Sequence, residues 1–101
     1  MNDPLSNPQR RKLKALAQRL EPVLRIGKHG LSETFLQSTG EALDRHELIK
    51  IRFEEFKDRR HELAADLARR TDSHLVWIVG HVAVLLRRQP DPARRKVQLP
   101  D

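Results

Sequence analysis

With 101 residues, 38% of them hydrophobic and 34% charged, the chain has apolar material for one compact core and too little for two. It holds no cysteine, which excludes disulfides, thiolate zinc sites and cysteine nucleophiles together. The net charge of +6 is clustered: residues 1–30 hold seven Lys/Arg against two Asp/Glu, residues 31–72 eight against ten, and residues 73–101 five against two. Such basic ends attract a polyanion through long-range fields and counterion release.

Met1 to Pro8 is polar and lacks the charged start and apolar run of a signal peptide, and no apolar stretch approaches the roughly 20 residues that cross a bilayer. The expected compartment is the cytoplasm. Leu13, Leu16, Ala17 and Leu20 then recur at helical spacing, predicting an amphipathic helix over residues 8–20 that Pro22 ends. Ser6 with Gln9 forms a capping-box pattern, while Asn7 before Pro8 offers a competing cap. The wet face carries Arg11, Lys14 and Gln18, flanked by Arg10, Lys12 and Arg19.

Val23 to Ile26, bounded by Pro22 and Gly27, reads as a short strand, and the loop Gly27-Lys28-His29-Gly30 follows at once. Ser32 caps the next helix, Leu31 and Leu36 stand at staple positions, and Phe35, Leu36, Ala42 and Leu43 supply the buried stripe. Gly40 weakens that helix by about 1 kcal/mol relative to alanine. Leu48 to Phe53 alternates Ile49, Ile51 and Phe53 against Lys50 and Arg52, the pattern of a strand with one buried and one basic face. Asp58 opens a third helix through Arg70, with Leu63, Ala64, Leu67 and Ala68 on its apolar side. His74 to Val79 and His81 to Arg87 read as a hairpin about Gly80, and the proline-rich tail, Asp91 to Asp101, reads as mobile. The order helix, strand, helix, strand, helix, strand, strand favours a two-layer α/β (α+β) sandwich.

A strand, a Gly-x-x-Gly loop and a helix in succession place the loop at the positive end of a helix dipole, where backbone N–H groups lack acceptors and bind phosphate. Gly27 and Gly30 permit tight turning and close approach, Lys28 adds fixed charge, and His29 adds a donor that also stacks. A tight structural turn would use the same glycines. The basic residues within and before the loop favour the binding reading, with Gly27, Lys28, His29, Gly30, Leu31 and Ser32 as its residues and Arg10, Arg11, Lys14, Arg25, Lys50 and Arg87 as the flanking basic surface. Lys50, Arg52, Arg87 and Arg88 equally suit solvated edges that discourage aggregation.

Three blocks, Val23-Leu24-Arg25-Ile26-Gly27-Lys28-His29-Gly30-Leu31-Ser32, then His46-Glu47-Leu48-Ile49-Lys50-Ile51, then Ile78-Val79-Gly80 through Leu85-Leu86-Arg87, resemble the CRM domain, the chloroplast RNA splicing and ribosome maturation domain, in its stand-alone bacterial YhbY-like form. The resemblance covers roughly residues 8–99, including the tail Arg95-Lys96-Val97-Gln98-Leu99-Pro100. It implies a four-stranded mixed sheet similar to the C-terminal domain of bacterial translation initiation factor three. It also implies RNA binding through the Gly-x-x-Gly loop and association with ribosomal RNA in precursors of the large ribosomal subunit, assisting ribosome assembly. One domain over residues 1–101 follows, with a core at about 8–88 and a basic tail at 89–101. Two departures are visible: Leu86 stands where the family often has tyrosine, and Gly40 is unusual in the second helix.

No catalytic constellation competes. The five histidines, His29, His46, His61, His74 and His81, show no metal-binding spacing, and Gly27 to Gly30 lacks the longer spacing and Lys-Ser/Thr ending of a Walker loop. The expectation is a non-enzyme, a monomer without cofactor, metal, small-molecule substrate or membrane partner. Phe35, Phe53, Phe56 and Trp77 are too few to read bases as an RNA recognition motif does, so phosphate and ribose contacts dominate. The rival reading is a basic module docking on an acidic protein. The cluster Arg94, Arg95 and Lys96 either folds onto RNA or stays a loose tether.

Overall fold

Element order follows the changes in apolar period. A computed structural model describes residues 4–100; Met1–Asp3 and Asp101, which end the N-terminal segment and the tail, lie outside the described residues. Helix α1 spans Asn7–Ala17, β1 Leu24–Ile26, α2 Glu33–His46, β2 Leu48–Phe53, α3 Arg60–Arg70, β3 His74–Val79 and β4 Val82–Leu86. The strands order β1-β2-β4-β3, with β1 parallel to β2 and the other pairs antiparallel. This is the expected four-stranded mixed sheet in an α/β fold.

Local chemistry explains the boundaries. Ser6 caps α1 through the full capping box, its hydroxyl accepting from the Gln9 N–H while the Gln9 side chain accepts from the Ser6 N–H. The helix stops at Ala17, short of Leu20: the Arg19 and Leu20 N–H groups bond the Leu16 and Ala17 carbonyls at 3.1 and 3.0 Å, a tightening turn well before Pro22. Ser32 caps α2, accepting from the Phe35 N–H at 3.1 Å. Asp58 does not cap α3. Phe56 turns through a left-handed conformation (φ 57°), a 3-10 turn covers Lys57–Arg59, and α3 begins behind Arg59 with no side-chain cap. The hairpin turns on Gly80 and His81, Gly80 at φ 55°, with Val79 opposite Val82 and a bulge between Leu75 and Trp77.

Helices α2 and α3 form the helical layer on one sheet face. Ile26, Ile49, Ile51, Phe53, Ala83 and Leu85 pack there with Leu43, Ala64 and Leu67. Alternation sends Leu48, Val76, Val84 and Leu86 to the other face, where they meet Leu13 and Ala17 of α1. The face that alternation alone marks as basic is therefore partly covered by α1, and Arg52 is exposed while Lys50 is half-buried. Thr39, an unforeseen member of the α2 inner face, is buried because its hydroxyl donates to the Phe35 carbonyl at 2.8 Å.

The tail is docked, against the expectation of mobility. Glu47 is buried behind α2, with its backbone at φ 64°, and its carboxylate accepts from the Gln89 N–H at 2.7 Å, the Val97 N–H at 2.9 Å and the Lys96 N–H. Val97 is buried in the second cluster, Leu99 packs beside it, and the Gln9 side chain donates to the Pro100 carbonyl at 2.9 Å. Polar composition misleads here because one buried acid supplies the acceptors that a short irregular segment lacks. Burial alone pushes the Glu47 carboxyl upward and is the largest single influence. The three backbone donors and the Arg88 charge together outweigh it and hold the pKa below its ordinary 4.5.

Candidate functional site

The loop Gly27–Gly30 leaves β1 at the edge of the sheet and enters α2 through Leu31 and Ser32. It closes as a turn, the Gly30 N–H bonding the Gly27 carbonyl at 3.0 Å. The two glycines differ. Gly30 sits at φ +58°, where an L side chain is strained, and the Phe56 ring lies 3.5 Å from where its Cβ would stand. Gly27 has no such φ and nothing within 4 Å of an added Cβ, so the fold does not require glycine there. Its missing side chain leaves open space outside the protein, which is what close approach of a ligand needs.

Between them Lys28 and His29 are exposed at the apex, and neither side chain has a hydrogen-bond or ionic partner among the described residues. The loop lines a shallow groove of about 270 Å³ whose walls include Arg25, Ser32, Thr34 and Ser38. Glu33 and Thr34, in the first turn of α2, have N–H groups without an intrahelical acceptor, and these point toward the loop end. Glu33 itself, exposed in that turn, is the one acid at the helix entrance. A positive helix end, an unpaired ammonium, an imidazole and a bare backbone stretch converge on one shallow surface. That combination suits an anion with several oxygens, such as a phosphodiester.

The structure separates the expected flanking cations. Arg25 shares the loop groove and is loosely paired with Glu54 at 3.7 Å, both side chains more than half exposed. Arg10 instead turns into the protein, donating to the Leu75 and Val76 carbonyls at 3.3 and 2.8 Å beside the β3 bulge. Lys14 holds its ammonium 5.3 Å from the Trp77 ring centre. Arg11 is exposed on the outer side of α1. The Lys50 ammonium donates to the Leu20 carbonyl at 3.1 Å. Arg87 lies at the opposite end of the sheet from the loop, donating to the carbonyls of Thr71 and Gly40 at 2.7 and 2.8 Å and to the Asp44 carboxylate at 2.7 Å. In the tail the Arg95 guanidinium donates to the Gln89 carbonyl at 2.8 Å. Sequence reasoning missed Thr34 and Ser38, one and two turns along α2 from the loop and visible as its exposed polar side, and Phe56, whose place behind Gly30 carries no sequence signal.

A larger groove, about 540 Å³, lies elsewhere. It is mainly apolar, lies between the end of α1 and the docked tail, and is lined by Leu16, Leu20, Val23, Leu48 and Val97 among others. Among the described residues no group of three or more His, Asp or Glu side chains could hold a metal ion, and no helix is long and apolar enough to cross a membrane.

Residues 5–87 match the model of the CRS1 / YhbY (CRM) domain. The chain belongs to that family. An RNA-binding protein of Haemophilus influenzae is 36% identical over 97 residues, covering 95% of each chain. A protein of Pseudomonas aeruginosa named a probable RNA-binding protein is 34% identical over 89 residues, 87% of this chain and 86% of that one. The solution structure of a hypothetical protein from Staphylococcus aureus, described as a candidate RNA binder, superposes with a TM-score of 0.79 at 32% identity, covering 95% of this chain and 99% of the other. The resemblance drawn from the three sequence blocks and the fold it implies are both borne out.

Proposed function

We propose that this CRM-family chain binds RNA, gripping the sugar-phosphate backbone at the groove formed by Gly27-Lys28-His29-Gly30 and the start of α2. The observation that carries the reading is Gly27: the fold does not need glycine there, yet its bare backbone stands beside an unpaired Lys28 and a helix N-terminus. The RNA-binding relatives in the same family support the same ligand. Backbone gripping, more than base reading, follows from the chemistry of the groove, where N–H groups, hydroxyls and cations outnumber the two aromatic rings, exposed His29 and half-buried Phe35.

Gly30 is a poor probe because its left-handed φ ties it to the fold, and Lys28→Glu is the clean one. It reverses an exposed charge, so circular dichroism and melting stay at wild-type values while affinity for a structured RNA falls about tenfold. Lys28→Ala lowers the slope of log affinity against log salt by about one unit. Gly27→Ala retains the fold and weakens binding. Unchanged RNA affinity in both Lys28→Glu and Gly27→Ala would remove the site from the loop.

The chain is further proposed to work as a single cytoplasmic, monomeric unit on ribosomal RNA in precursors of the large ribosomal subunit, without catalysis. Gradient fractionation of growing cells tests this: the protein sediments with large-subunit precursors, and its confinement to free fractions at low salt counts against the assignment.

A further inference from the structure

The sheet has a second exposed surface, on the face away from α2 and α3 and at the loop end. Alternation and register define it. Arg25 lies opposite Arg52, Arg52 opposite Val82, and Val82 opposite Val79, so one residue from each of the four strands forms a single row. Strand spacing of about 4.8 Å makes that row roughly 14 Å long. The next row inward, Lys50, Val84 and Trp77, is already occupied: Val84 is fully buried, Lys50 bonds Leu20, and Lys14 sits over Trp77. Helix α1 therefore ends the open area, and the outer row stays free.

Nothing in the fold accounts for its composition. Two like charges opposite each other on neighbouring strands disfavour pairing. Arg52 is exposed and makes no hydrogen bond or ion pair among the described residues, and Arg25 has only the loose, exposed contact with Glu54. Beside the two guanidinium groups stand two apolar side chains, Val82 and the 41% exposed Val79, one of few large hydrophobic residues so exposed. Arg25 also lines the loop groove, so the two surfaces meet at the edge strand β1.

We propose that this row holds a single-stranded RNA segment running on from the loop, with phosphates on Arg25 and Arg52 and an unpaired base laid against Val82, Val79 and a guanidinium plane. The proposal rests on the RNA-binding reading above and names the form of RNA. A duplex turns phosphates and hydroxyls outward and keeps its bases stacked, so it has no use for the two valines. A splayed nucleotide has both a charge and an apolar face to match them. Glu54 is displaced from Arg25 at little cost, since exposed ion pairs contribute little.

The test is fluorescence anisotropy at fixed salt with two probes, a blunt RNA hairpin and the same hairpin carrying a single-stranded 3′ extension. Arg52→Glu and the uncharged Val79→Ser each weaken the extended probe about fivefold and leave the blunt hairpin within about twofold of wild type. Arg52→Gln, with the same direction of effect, serves if charge reversal disturbs the sheet, and circular dichroism reports that. Equal loss on both probes, or no loss on the extended one, overturns the proposal. Lys28→Glu separates the two readings by weakening both probes. If Lys28→Glu is without effect while Arg52→Glu and Val79→Ser act on the extended probe, the loop site fails and the sheet row stands. If the wild-type protein binds neither probe, both fail.

Discussion

The two ends of the sheet treat polar groups in opposite ways. At the loop end Lys28 and His29 stand exposed beside a groove with bare backbone and Arg52 on the open sheet face, all three without partners among the described residues. At the tail end Glu47 accepts three backbone N–H groups and Arg87 donates to two carbonyls and a carboxylate, so side-chain charge there is matched inside the protein. The lesson concerns what a basic composition means. The +6 net charge mixes cations that fasten the fold with cations left free for a ligand, and only their hydrogen bonds separate the two sets.

The sharpest way to break the contrast is to remove Glu47. In Glu47→Ala three N–H groups of the tail lose their acceptor and the tail detaches, exposing Val97 and Leu99, and the chain is destabilised by about 3 kcal/mol with new protease cleavage in the segment beyond Pro90. RNA affinity at the loop end stays within about twofold if the ends are independent. Glu47→Gly relieves the backbone at φ 64° and recovers about 1 kcal/mol of that loss, which urea unfolding of the two variants resolves. The pH dependence has a definite sign. A carboxylate with its folded pKa below the ordinary 4.5 contributes stability that is complete above that value and disappears as pH falls through the lower folded one. Wild type and Glu47→Gln therefore converge in stability in acid and separate toward neutral pH. A constant difference down to the acid limit would mean that the charge plays no part.

Arg87 tests the same contrast from the cationic side. It was legible in the sequence as a basic residue near a strand end, and the sequence alone equally suited an RNA contact. In the structure it joins the C-terminal end of α3 at Thr71, where a cation is favoured, to α2 at Gly40 and Asp44. Arg87→Met keeps the aliphatic stem, leaves those acceptors unfilled and costs about 2 kcal/mol by thermal or urea unfolding, with RNA affinity unchanged. Weakened RNA binding in a variant of wild-type stability would return Arg87 to the interface.

Much of the fold was legible because period and caps are local. The Ser6–Gln9 box, the Ser32 cap, the alternation of Ile49, Ile51 and Phe53, and the hairpin at Gly80 all lie where sequence spacing points. What was not legible depends on contacts distant in the chain. Asp58 had the chemistry of a cap, but the left-handed turn at Phe56 moved the helix start past it. Asp91 to Pro100 has the composition of a loose tail, and only Glu47, more than 40 residues earlier, fixes it. The loop itself could be found from its glycines and charges. Which of Arg10, Lys14, Arg25, Lys50 and Arg87 stand beside it could not, because that depends on which face each strand and helix presents.

The smallest expected effect sets two glycines against each other, one from each side of the contrast. Gly30 at the loop end has φ +58°, so Gly30→Ala forces an L side chain into the left-handed region and costs about 1 kcal/mol, with the new methyl in ordinary contact with Phe56. Gly40 in α2 has helical backbone, and an added Cβ meets nothing within 4 Å. Its carbonyl, which accepts from Arg87, is untouched by the change. Gly40→Ala therefore only narrows the unfolded ensemble and improves helix propensity, a gain of up to about 1 kcal/mol. The two substitutions add the same methyl group, so opposite shifts in urea midpoint at constant m-value isolate backbone conformation as the cause. A stabilised Gly30→Ala would show that the left-handed turn is not needed, and a destabilised Gly40→Ala would show that the open space beside α2 is required by something that packs there.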